Sequence, residues 1–230
     1  MSLVTPAVLP SSRQDLEEKL VLFETFPGIA RVQIDVVDGL FVSPGSWPYT
    51  NDVDAKDPQL AGLLEPHRIA YEVDLMCFNP VRAAEPWISA GATRLTFHEG
   101  SATDLHTLIE EAQDHYGHIV SIGLAIHVDT DLERISESIE HLDYIQCMGI
   151  ARIGRQGEPL DPAVIPKIRM CKLRYPALPV QVDGGVTFEN AKELLRAGAS
   201  SLIAGSALLK AADPRAAFES FETLRSPYGV

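Results

Sequence analysis

Hydrophobic and polar positions alternate along this chain in a regular rhythm. Apolar or β-branched runs of about 4–8 residues fall at Val4–Leu9, Arg31–Val36, Ile69–Met76, Arg94–His98, Ile119–Ile126, Tyr144–Ile150, Val180–Asp183 and Ser201–Ala204, and each reads as a buried strand. Between them lie segments whose apolar positions recur at helical spacing: Gln14–Phe26, Pro58–His67, Val81–Ala90, Asp104–Tyr116, Asp131–His141, Pro162–Tyr175, Phe188–Ala197 and Pro214–Leu224. Local signals agree with those bounds. Thr187 is placed to cap a helix that ends in the Ala197-Gly198-Ala199 turn, and Gly91 follows Ala90 in the same way. Eight strand–helix units with no low-complexity linker predict one domain over residues 1–230, an α/β fold of the TIM (β/α)8 barrel type. An open doubly wound sheet usually has fewer units and a reversal of strand order.

In such a barrel the chemistry sits at the C-terminal ends of the strands, and there the apolar pattern is broken. The run Val32–Pro44, VQIDVVDGLFVSP, carries Gln33, Asp35 and Asp38; the next strand carries Glu72 and Asp74; later strands end at His98, His127, Met148 with Gly149, Asp183 and Gly205-Ser206. A buried carboxylate is costly unless it is paired, metal-bound or protonated. Side chains alternate along a strand, so Gln33 and Asp35 share a face, as do Glu72 and Asp74. Taken singly, each acid reads equally as a helix cap or the partner of a nearby arginine. Taken together, Asp35, Asp74 and Asp183 converge on one barrel mouth and require a cation or a proton between them. Asp38, followed by Gly39, is expected to shape a turn rather than to act on substrate. Asp183-Gly184-Gly185 and Gly205-Ser206 put bare backbone at the ends of the last two strands, where amide groups can grip a phosphate; tight strand–helix turns are the structural alternative.

Composition narrows the partners. With 19 Lys+Arg against 32 Asp+Glu, formally −13, the chain would be repelled by nucleic acid and by an anionic membrane surface. It carries 46% hydrophobic residues, enough for one sizeable core. Cys77, Cys147 and Cys171 are widely spaced and form no CxxC pair, which suits reduced thiols in a cytoplasmic protein. There is no signal-like N-terminus and no apolar run of about 18 residues.

These residues resemble the ribulose-phosphate 3-epimerase family of the ribulose-phosphate-binding barrels. The resemblance runs over nearly the whole chain and rests on DVVDGLFVSP, DLMCFNP, LTFHEGSA, GLAIH, the Met148 region and VQVDGGVTFENAKELLRAGASSLIAGSALL. It implies that Asp35 and Asp183 are acid/base aspartates, that Gly154 to Gly157 form the glycine-rich loop after strand six, and that Gly184, Gly185, Gly205 and Ser206 supply phosphate-binding backbone. His98 matches a family position, with a hydrogen-bonded structural histidine as the alternative reading, and Met148, with Met76, reads either as an apolar floor beneath the sugar or as ordinary core. The sequence departs from it at the metal end. Gln33 and Asp74 stand where the family has histidine ligands, Ala7 stands for a substrate-contacting serine, and the Glu-Pro-Gly-Phe-Gly-Gly loop becomes Ala151-Arg152-Ile153-Gly154-Arg155-Gln156-Gly157.

The expected chemistry is epimerisation of a phosphorylated ketose, one carboxylate removing a proton beside the carbonyl while a protonated partner returns one to the other face. The enediolate between these steps needs nearby positive charge. Gln33, Asp35, Asp74 and Asp183 offer only oxygen, a set that suits magnesium or manganese better than zinc; without a metal, Arg152 or Arg155 is left to supply the charge, unless both are solvated loop residues. Two alternatives stand beside the isomerase: a catalytically silent sugar-phosphate-binding barrel, and a lyase of the decarboxylase or aldolase type. The lyases carry an Asp-x-Lys-x-x-Asp run that here reads Asp35-Val36-Val37-Asp38. A homo-oligomer is expected, with Trp47 and Tyr49 in the Leu40–Asp57 connection belonging either to a lid or to a contact between copies.

Overall fold

Alternating side chains sort the strands' two faces, and the computed structural model, which describes residues 2–50, 60, 63–64 and 69–224, shows where each face goes. Strands β1 (Val4–Val8), β2 (Arg31–Val37), β3 (Ala70–Met76), β4 (Arg94–His98), β5 (Ser121–Ile126), β6 (Tyr144–Met148), β7 (Val180–Asp183) and β8 (Ser201–Ala204) pair in parallel, in chain order, and close through β1 and β8. This is the TIM (β/α)8 barrel, and every strand lies within two residues of the run that predicted it.

The connecting helices are α1 (Arg13–Glu24), α2 (Pro80–Ala90), α3 (Leu105–Tyr116), α4 (Val164–Arg174), α5 (Phe188–Ala197), the single turn α6 (Ser206–Leu209) and α7 (Pro214–Glu222). The predicted ends of α5 are present: Asn190 Oδ1 accepts from the Thr187 N–H at 2.9 Å, and Gly198 closes the helix in the left-handed region. One helix differs from expectation. Leu132–His141 is a 3-10 helix, because its buried residues Leu132, Ile135 and Ser138 recur every third position, the period of that tighter coil. The helix expected over Pro58–His67 falls almost wholly outside the described residues. No helix among the described residues is long and apolar enough to cross a membrane.

Outward strand residues such as Ile34, Val73, Leu95 and Phe97 are fully buried, in one apolar shell with Phe23, Trp87 and Ile109 of the helices. The interior of the barrel is polar instead. At its floor Glu72 accepts from Arg94 Nε at 2.9 Å and from Thr96 Oγ1 at 3.1 Å, and pairs with Arg31 at 3.2 Å. Burial pushes the Glu72 carboxyl up, but the two arginines outweigh it and hold the group below its ordinary value. Arg94 also lies 3.8 Å over the Tyr144 ring. That ring fills the barrel across β5, where a β-carbon on Gly123 would stand 2.2 Å from it. The floor is therefore a closed ionic and aromatic plug, and the chemistry is confined to the layer above it.

Candidate active site

The upper layer is built on register. Asp35 on β2 lies directly opposite Asp74 on β3, and Asp183 ends β7 across the mouth. One oxygen from each of the three carboxylates lies within 4.8 Å of the others. Gln33 Nε2 donates to Asp35 Oδ1 at 2.9 Å and to Asp183 Oδ2 at 2.8 Å, so one amide ties the two acids together. The His98 ring is buried, with Nε2 at 2.8 Å from Asp74 Oδ1.

Like charges this close cannot all stay ionised. Burial raises the Asp183 carboxyl to about 7, and Asp74 adds to the rise while the Gln33 hydrogen bond opposes it. Asp35 is raised well above the usual carboxylate range, first by burial and then by Asp183 and Asp74. Both acids thus have a raised affinity for protons, and a proton or a cation among the carboxylates relieves their repulsion.

All three acids line a pocket whose walls include Ala7, Met76 and Met148. Met148 and Met76 belong to a small apolar cluster at the mouth with Val37, Ala125 and Ile153. Gly154, Gly157, Gly184, Gly185, Gly205 and Ser206 line the same pocket. Gly185 has φ +67, and a β-carbon there would meet Leu160 backbone atoms at 2.5 Å, so the chain needs glycine at this turn. Among the described residues, the N–H groups of Gly185, Gly205 and Ser206 donate to no backbone carbonyl outside the regular elements, which leaves them available for an anion.

Several expected residues take other places. Glu72 lies in the floor and does not line the pocket. His98 faces Asp74 and is not part of the pocket wall. Arg152 is bound by Glu158 in a fork with contacts of 2.8 and 3.1 Å, whereas Arg155 lines the pocket. Asp38 does shape its turn, its carboxylate accepting from the Leu40, Phe41 and Phe78 N–H groups at 2.6–2.8 Å. Three participants were not singled out from sequence. Gln146 interrupts an apolar strand, Tyr-Ile-Gln-Cys-Met, as Gln33 does, and that signal marks it. Gln156 lays Nε2 against Gly205, 2.8 Å from where a β-carbon would stand, and Lys210 Nζ approaches Gly157 in the same way at 3.1 Å. Neither leaves a mark in the hydrophobic pattern.

The donor set fits a hard divalent cation. Three carboxylate oxygens lie within reach of one another, and Gln33 Oε1 is buried with no hydrogen-bond partner. A half-turn of that amide exchanges Oε1 for Nε2 and presents a fourth oxygen to the acids.

Known proteins match the chain over most of its length. The ribulose-phosphate 3-epimerase of Mycobacterium tuberculosis (strain ATCC 25618 / H37Rv) is 28% identical over 219 residues, 94% of this chain and 89% of that protein. The chloroplastic ribulose-5-phosphate-3-epimerase of Arabidopsis thaliana is 27% identical over 234 residues, 99% of this chain and 79% of that protein. Among solved structures, KGPDC from Streptococcus mutans superposes with a TM-score of 0.66 over 97% of this chain and 97% of that one; at 14% identity the likeness is one of fold. The model of the ribulose-phosphate 3-epimerase family matches residues 3–209, a span holding the three acids and both glycine turns, and the chain belongs to that family.

Proposed function

We propose that this enzyme epimerises a phosphorylated ketose, with Asp35 and Asp183 as its proton-transfer pair. The observation that carries the reading is the Gln33 bridge: one amide joins two carboxyl groups whose affinities for protons are both raised, in a pocket lined also by the glycine turns after β6, β7 and β8. The names of the relatives support it.

The sugar phosphate lies with its phosphate on Gly184, Gly185, Gly205 and Ser206 and its carbonyl end toward the acids, over Met148. Arg155 sits at the phosphate side. The ionised member of the pair removes the proton from the carbon beside the carbonyl, leaving an enediolate. The protonated member returns its own proton to the opposite face of that carbon, so the pair ends with one proton, as it began, on the other carboxyl. With Nε2 toward the acids, Gln33 bridges the two. Asp35, Asp74 and Asp183, joined by Gln33 once its amide has turned and released its two hydrogen bonds, would hold a divalent cation, which would supply Lewis acidity there, and an all-oxygen donor set favours magnesium or manganese over zinc. The buried thiols of Cys77, Cys147 and Cys171 suit a reducing, cytoplasmic setting.

Proton NMR in deuterated buffer tests this with D-ribulose 5-phosphate as the first of a panel of phosphorylated ketoses and each divalent metal added in turn. The wild-type chain is expected to exchange the proton beside the carbonyl for deuterium as the epimer appears. Asp35→Asn and Asp183→Asn are each expected to cut turnover about a hundredfold or more and to leave affinity for the sugar phosphate within roughly tenfold, about 1.4 kcal/mol. Binding without any exchange in the wild type overturns the isomerase reading in favour of a binding protein. Full turnover in Asp183→Asn overturns the pair.

A further inference from the structure

Beneath the acids lies a second glutamine whose amide, unlike that of Gln33, has no freedom to turn. Gln146 projects from β6 into the barrel, fully buried. Its Nε2 lies 3.2 Å from Asp74 Oδ2 and 3.3 Å from Asp183 Oδ2, and 3.4 Å from Met148 Sδ. Its Oε1 accepts from Gln181 Nε2 at 2.7 Å. Gln181 in turn donates from the same Nε2 to Glu72 Oε1 and accepts at Oε1 from an Arg94 amine 3.4 Å away.

The direction of each amide in this column follows from the charges at its base. An ionised carboxylate only accepts and a guanidinium only donates. Glu72, paired with Arg94 at 2.9 Å and with Arg31 at 3.2 Å, takes the N–H of Gln181, and Arg94 takes its oxygen. With Gln181 so oriented, its N–H meets the oxygen of Gln146, and the N–H groups of Gln146 can only point up at the acids. Turning Gln146 over would set N–H against N–H below and oxygen against two carboxylates above. The Gln33 amide has no such anchor, because its Oε1 has no partner.

We propose that Gln146 is a positioning residue, a fixed N–H donor that holds the carboxylates of Asp74 and Asp183 in one mutual arrangement, with its polarity set from the barrel floor through Gln181. Gln33 is then the adjustable amide of the site and Gln146 the rigid one. Gln146 presents no oxygen to the acids and serves no cation as a ligand. The effect on turnover rests on the function proposed above; the geometry does not.

The test is Gln146→Met, which keeps length and approximate volume and removes both the donors and the acceptor. The variant is expected to fold, judged by circular dichroism, and to bind inorganic phosphate within about twofold of wild type, while Mn2+ affinity, read by electron paramagnetic resonance with the metal alone, falls about tenfold or more. With D-ribulose 5-phosphate, kcat is expected to fall at least about tenfold with KM within roughly threefold, the split for a group that acts through others. Wild-type Mn2+ affinity and kcat in this variant overturn the proposal. If the wild type neither binds Mn2+ nor turns over a ketose phosphate, the proposed function fails on its own, and crystal structures of wild type and Gln146→Met decide the positioning claim. Carboxylates of Asp74 and Asp183 rotated apart support it, and unchanged carboxylates overturn it. Should Gln146→Met fail to fold, Gln181→Met takes its place. There the freed Gln146 amide is expected to weaken Mn2+ binding or displace the two carboxylates, and no change in either overturns the proposal.

Discussion

Asp74 Oδ1 and His98 Nε2 lie 2.8 Å apart across the neighbouring strands β3 and β4, and both side chains are almost wholly buried. The imidazole thereby orients a carboxylate that reaches the acid cluster from the side opposite Asp183. A ligand carboxylate held by such an outer partner is fixed in direction, and loss of the partner typically weakens metal binding 10–100-fold. His98→Phe is therefore expected to lower Mn2+ affinity by about tenfold or more, and His98→Gln, which keeps an N–H donor, to recover much of the loss. Titration of Mn2+ by electron paramagnetic resonance reads both. Equal affinity in wild type and His98→Phe would remove His98 from any role in ordering Asp74.

The barrel and the positions of the acids were legible because both follow from short-range rules. Strand ends emerge from the length of apolar runs, and alternation puts Gln33 and Asp35, or Glu72 and Asp74, on one face. Alternation gives the face but not the depth: Glu72 and Asp74 share the interior, yet one is locked in the floor by Arg94 while the other joins the acids. Depth depends on the stagger between strands, which no single strand records. Gln146 and Gln181 pair across β6 and β7, a contact between residues 35 apart that only the register reveals. Lys210 reaches Gly157 from a helical turn that is too short to leave a periodic signal.

Because Asp183 is raised to about 7 from 3.8, the folded chain keeps a proton that the unfolded chain has already lost across that interval. A raised carboxyl contributes stability that is fully present below the unfolded value and is lost as pH rises through the folded one. In chelator, wild type is therefore expected to lose melting temperature relative to Asp183→Asn between about pH 4 and about pH 7, the gap widening by several degrees. Adding Mg2+ at the upper pH is expected to narrow the gap, since a cation relieves the repulsion that the Asn removes. Differential scanning calorimetry of the two proteins across that range checks it. A gap independent of pH would mean that Asp183 titrates as an ordinary exposed carboxyl.

The phosphate end can be broken without touching the acids, and two glycines separate the backbone effect from the local one. Gly185 (φ +67) and Gly28 (φ +73) both occupy the left-handed region, where a β-carbon costs about 1–2 kcal/mol. They differ in surroundings. A β-carbon on Gly28 would meet nothing within 4 Å, whereas one on Gly185 would stand 2.5 Å from the backbone N and Cα of Leu160. Backbone at that distance cannot yield as a side-chain tip does, so either the turn after β7 or the Leu160 segment must move; the turn borders the pocket, as does Glu158 two residues before Leu160. Gly28→Ala is expected to lose about 1–2 kcal/mol of stability with no change in affinity for inorganic phosphate. Gly185→Ala is expected to lose more stability and to weaken phosphate binding by about tenfold or more, roughly 1.4 kcal/mol. Calorimetric titration of both variants with inorganic phosphate, beside their melting curves, makes the comparison. If Gly185→Ala binds phosphate as well as Gly28→Ala does, the anion is not held by the turn after β7, and the grip must be sought at Gly205 and Ser206 alone.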